Sequence, residues 1–81
     1  MTEIGTRLRA RRKAARMSIV ALAGAADVDS RRIGAIERGE AVPTMYECHA
    51  LEQALPTCSP QELGRLQYGE KYRGFLGLDP E

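Results

Sequence analysis

The chain has 81 residues, enough for one domain and few enough that its core is marginal. Two cysteines, Cys48 and Cys58, with no metal-ligand spacing and a single histidine, argue against a disulfide scaffold or a metal site, and no apolar run approaches a membrane span. The net charge of +1 is unevenly spread: residues 1 to 39 carry nine Lys/Arg against four Asp/Glu (+5), and residues 40 to 81 carry three against seven (−4).

Helix 1 is predicted from Glu3 to Arg16. Its apolar stripe is Ile4, Leu8, then Arg12, then Ala15, at i, i+4, i+8 and i+11. Arg12 therefore takes a core-facing position. A buried guanidinium needs a carboxylate, and Glu37 is the natural candidate; otherwise Arg12 snorkels to solvent. The basic residues Arg7, Arg9, Arg11, Lys13 and Arg16 ride on the same helix, and its periodicity does not place all of them on one side.

Ser18 is the predicted cap of helix 2, whose inward face is Leu22, Ala23 and Ala26. A sharp turn follows at Asp27, a residue type that tolerates the left-handed conformation, and Val28 points back into the angle. Helix 3 opens on Asp29-Ser30-Arg31-Arg32, buries Ile33, Ile36 and Glu37, and stops at Gly39 as a left-handed cap. Small Ala23 lets the second of these helices cross close over the first. Two short helices about a tight break make a helix-turn-helix. Gly34 in mid-helix 3 costs about 1 kcal/mol relative to Ala and leaves room for close backbone approach either to DNA or to another helix.

Thr44 and Glu47 form a capping box for helix 4, which buries Cys48, Leu51 and Leu55 and ends at Pro56. Ser59, Pro60 and Glu62 suggest a second box opening helix 5, with Leu63 and Leu66 inward. Residues 67 to 81 hold Tyr68, Tyr72 and Phe75, spaced i, i+4, i+7, with Leu76 beside them. They can form a dimer or partner surface, or fold back to complete the chain's own core.

The pattern Ser18, Leu22-Ala23, Ala26, Val28, Ile33, Ile36-Glu37-Arg38-Gly39, Pro43 and the helix from Met45 to Leu55 resembles the Cro/lambda-repressor class of helix-turn-helix domains, the Xre family. The likeness covers about residues 4 to 66. It implies an all-α, five-helix lambda-repressor-like domain over residues 1–66, with 67–81 as a C-terminal extension. It also implies double-stranded DNA as partner, helix 3 as recognition helix, a homodimer on paired half-sites, and the Arg12–Glu37 ion pair. Three positions depart from the pattern. Ile19 replaces a Gln that meets the DNA backbone, Asp27 replaces a turn Gly, and Glu40 begins a loop that is often basic.

The resulting expectation is a bacterial or phage sequence-specific DNA-binding regulator, a repressor acting by operator occupancy in the cytoplasm. Ser30, Arg31, Arg32 and Ala35 are the base-contact candidates, and Ser18, Arg9, Arg16 and Arg38 the phosphate candidates. A second reading is a protein-interaction module, antitoxin-like or an adaptor, using Ile19 or the apolar tail. No nucleophile–base pair, metal cluster or phosphate loop is found, so no catalytic residue, metal or cofactor is expected.

Overall fold

The first four helices each begin where a short polar side chain accepts an N–H that the helix itself leaves unpaired. Thr2 accepts from Gly5 N (3.0 Å), Ser18 from Ala21 N (2.9 Å), Asp29 from Arg31 N (2.8 Å) and Thr44 from Glu47 N (3.0 Å). The Thr44 box is complete, because Glu47 accepts Thr44 N in return at 2.9 Å. The computed structural model describes residues 2–77. Among them are α1 (Glu3–Ala14), α2 (Ile19–Ala26), α3 (Ser30–Arg38), α4 (Met45–Ala54), α5 (Glu62–Tyr68) and α6 (Lys71–Phe75), and no strand.

Two ends differ from the sequence expectation, each for a local reason, and one helix is added. Helix α1 stops at Ala14, not Arg16: Met17 N–H returns to Arg12 O and Arg16 N–H to Lys13 O, with Arg16 left-handed at φ 58°. That is a Schellman ending with arginine where glycine is usual. Helix α5 starts at Glu62, because Gln61 is left-handed (φ 65°) and ends the preceding turn. Only half of the expected second box forms, Ser59 N–H donating to Glu62 at 2.9 Å. The tail adds a sixth helix, α6, to the five expected.

The helix-turn-helix is built as the residues suggest. Asp27 is left-handed at φ 58°, Val28 N–H returns to Ala23 O, and Gly39 closes α3 at φ 82°. Helix α3 packs on both α1 and α2, and α2 on α4. At the α1–α3 crossing, Gly5 lies so near α3 that a Cβ would come within 2.4 Å of Ile36 O and 2.8 Å of Glu37 O. No larger residue fits there without moving a backbone. The core is Ile4, Leu8, Leu22, Ala26, Ile33, Ile36, Cys48, Leu51, Leu55, Leu63 and Tyr72.

Tyr72 belongs to that core and is fully buried, so it is not the surface residue that the aromatic spacing allows. Its ring lies on Gly64, where a Cβ would come within 2.1 Å of the ring carbons. Its hydroxyl donates to Glu52 at 2.8 Å, and the other Glu52 oxygen accepts Gly64 N–H at 2.6 Å. A buried carboxylate thus ties α4 to α5 and α6 at once. The expected division at residue 66 falls inside α5, and residues 78 to 81 of the expected extension lie outside the described residues.

Candidate nucleic-acid interface

Helix α3 buries Ile33, Ile36 and Glu37 on one side. At 100° per residue, Arg31, Ala35 and Arg38 fall on the opposite side. Arg31 and Arg38 are exposed, and Ala35 and Ser30 are half-exposed.

What holds this face in place is the pair beneath it. Arg12 Nε and Nη2 donate to the two Glu37 oxygens at 2.7 and 3.0 Å, and Nη1 donates to Met17 O at 2.9 Å. Arg12 is 9 % exposed and Glu37 4 %. The geometry is the planar fork of guanidinium on carboxylate, which raises the Arg12 pKa further. It locks the inward side of α3 to α1 and to the start of the α2 segment.

The three arginines of α3 differ in their commitments. Arg32 is bidentate on Glu47 (2.9 and 3.0 Å) and also donates to Val42 O at 2.9 Å. The pair raises the Arg32 pKa, and hydrogen bonds from Arg32 and Thr44 hold the Glu47 carboxyl low against the cost of burial. Arg32 is therefore turned toward α4 and braces α3, rather than standing free at the front of the helix. Arg38 lies back over Gly34, where a Cβ would come within 3.0 Å of its Nη1, and donates to Glu40 at 3.0 and 3.1 Å. The missing side chain at Gly34 makes room for Arg38. Arg31 reaches outward with its side chain 92 % exposed, its Nη2 at 3.4 Å from Asp29 Oδ2. Bonds from the Arg31 N–H and then its guanidinium hold the Asp29 carboxyl below its usual range.

Among the phosphate candidates, Ser18 caps α2 and is exposed, and Arg9 and Arg16 are exposed. Arg7 and Arg11 are not free cations on that surface: both donate to Glu62, at 2.8 and 2.7 Å, and join α1 to α5. Ile19 is half-buried against the core and not an open apolar contact; its neighbour Val20 is 73 % exposed. Of the tail candidates, Tyr68 donates its hydroxyl to Pro43 O, Leu76 packs half-buried on the core, and Phe75 stays 43 % exposed while stacking on Tyr72.

A groove of about 630 Å³ runs beside the start of α3, between the Asp27–Asp29 turn and the Tyr46, Glu47 and Ala50 side of α4. Tyr46, 76 % exposed at its edge, is a residue that sequence reasoning passed over. Only the path of the α3–α4 loop brings it beside Arg31 and Arg32. Burial pushes the Cys48 thiol up to about 12 and the Cys58 thiol up to about 11, so both stay protonated at neutral pH. Among the described residues no helix is long and apolar enough to cross a membrane.

Comparison with known proteins agrees with this architecture. The family described as "Helix-turn-helix domain" matches residues 3–66, from the first residue of α1 into α5. No curated protein and no solved structure matches the chain. With α2, the Asp27 turn and α3 at its centre and that match over most of its length, the chain belongs to the helix-turn-helix domain family.

Proposed function

We propose that the protein is a sequence-specific DNA-binding regulator of the Cro/lambda-repressor type, which acts as a repressor by occupying an operator. The observation that carries the reading is the outward face of α3. Arg31, Ala35 and Arg38 stand opposite a side fixed in the core by Ile33, Ile36 and the Arg12–Glu37 fork. A rigid helix with two exposed arginines on its free side suits the major groove, where an arginine fork matches guanine O6 and N7. Ser30 and Ala35 add a hydroxyl and an apolar contact on the same helix.

The backbone would be held by the Ser18-capped start of α2, which has no acid in its first turn, and by Arg9, Arg16 and Arg38. Arg32 takes a supporting part, through Glu47. One copy offers few contacts, so a homodimer on half-sites about one helical turn apart supplies the rest. A salt titration of binding to random and selected duplexes tests the reading. Affinity should fall steeply with salt on both, and the selected site should bind far more tightly. A chain that binds no duplex at low salt would support instead a protein-interaction role for the exposed Val20, Val42 and Phe75.

A further inference from the structure

The two helix starts of the helix-turn-helix carry different charges. Helix α2 opens on a neutral serine with no acid in its first turn, whereas α3 opens on the carboxylate of Asp29. An anion at a helix start neutralises the partial positive charge there, so phosphate brought to α3 meets like charge instead of open N–H groups. A serine would cap α3 equally well without that consequence.

Asp29 does two things at once. Its Oδ1 accepts Arg31 N–H at 2.8 Å, which is the cap, and its Oδ2 faces Arg31 Nη2 at 3.4 Å. The side chains are 55 % and 92 % exposed, and an ion pair so open adds little to stability. Arg32, the other arginine in this turn, is held back by Glu47 and Val42 O. One lightly paired guanidinium therefore stands at the front of α3, with one donor steadied and the rest of its fork open.

We infer that Asp29 is a specificity-determining, positioning residue: it orients Arg31 for bidentate recognition of a guanine and turns phosphate away from the same helix end. The inference rests on α3 being the DNA-reading helix. Removing the charge then has two opposed effects. Affinity for random DNA holds or rises, because a negative group near the duplex is gone. Discrimination at one base pair falls, because the guanidinium loses its brace.

Asp29→Asn separates the roles. Asparagine caps a helix as well as aspartate, but it presents an amide donor where the carboxylate oxygen faced Arg31. The full chain, D29N and R31K are titrated at one salt concentration against the duplex the wild type selects, against versions with each guanine of that site replaced in turn, and against random duplex. The wild type should prefer one of these guanines by about tenfold or more. D29N should lose most of that preference while its random-duplex affinity is unchanged or higher and its melting temperature stays within a few degrees of the wild type, the helix losing only a small charge contribution. R31K should lose the preference too, since an ammonium makes no fork. If D29N destabilises the fold, D29S supplies a second neutral cap with the same expected loss. A D29N protein that keeps the full preference overturns the inference, leaving Asp29 as a cap alone, and so does an equal loss on selected and random DNA. A wild type that binds no duplex at any salt sinks the DNA reading itself, a result distinct from both.

Discussion

Glu37 and Arg12 show how much can rest on two side chains. Both are nearly excluded from water and each satisfies the other, so removing one strands a charge in the interior. Glu37→Ala should cost roughly 3–5 kcal/mol, and thermal unfolding followed by circular dichroism should show a melting temperature lower by about 12 °C or more. An apolar double replacement, Arg12→Met with Glu37→Leu, should recover most of the loss; an unchanged single variant would mean that the pair is not closed in solution. Arg16 makes the opposite case. It sits left-handed at φ 58° with its side chain exposed, a conformation that costs a non-glycine residue roughly 1 kcal/mol. Arg16→Gly should therefore raise the melting temperature by a few degrees. On the proposed function it should also weaken DNA binding and lower the salt slope by about 1. A stabilised variant with undiminished binding would remove Arg16 from the phosphate contacts.

Element by element, the ends and faces of α2, α3 and α4 were legible because their causes are local. Ser18, Asp29 and Thr44 cap the helix they precede, Asp27 and Gly39 turn the chain that carries them, and Leu22, Ile33 and Ile36 keep helical spacing. The tail was not legible. Tyr72 is buried because a glycine eight residues earlier leaves room for its ring and because Glu52, twenty residues earlier, accepts its hydroxyl. Neither partner is visible from the spacing of aromatics. The reach of Arg32 to Glu47 across the α3–α4 loop is hidden in the same way, which is why the sequence alone puts Arg32 among the base contacts. Two variants test the docking of α6. Gly64→Ala drives a methyl into the Tyr72 ring and should cost roughly 1–3 kcal/mol, and Tyr72→Ala empties its site and should cost roughly 3–5 kcal/mol, both read in chemical denaturation. A chain ending at residue 70 should behave like Tyr72→Ala. If it keeps full stability, α6 is an appendage and Tyr72 does not carry the core.

At the scale of the whole molecule, carboxylates fasten the helices to one another and arginines supply both their partners and the outward charge. Glu47 joins α4 to α3, and Glu62 joins α5 to α1 through Arg7 and Arg11. For Glu62, burial raises the pKa, but the Ser59 N–H and the two guanidiniums outweigh it, so both glutamates titrate below their ordinary value of 4.5. A depressed pKa gives stability that is present above 4.5 and lost as pH falls through the folded value. The melting temperature should therefore be nearly flat from about pH 7 to pH 5 and fall below that range. Arg32→Ala should flatten the acid limb, and an acid limb unaltered in that variant would remove Glu47 from its cause. The basic half of the chain carries the helix-turn-helix, and this asymmetry together with the outward face of α3 is what supports the proposal that α3 reads DNA. The most direct measurement is fluorescence anisotropy of the full chain on a duplex selected from random DNA and on a scrambled duplex of equal length, each across a range of salt. If α3 reads DNA, affinity falls with salt on both duplexes, and the selected one is preferred by about 10³ or more, a preference that Arg31→Ala lowers by about tenfold or more. Equal affinity for the two duplexes, or a preference left unchanged in Arg31→Ala, is the opposite result.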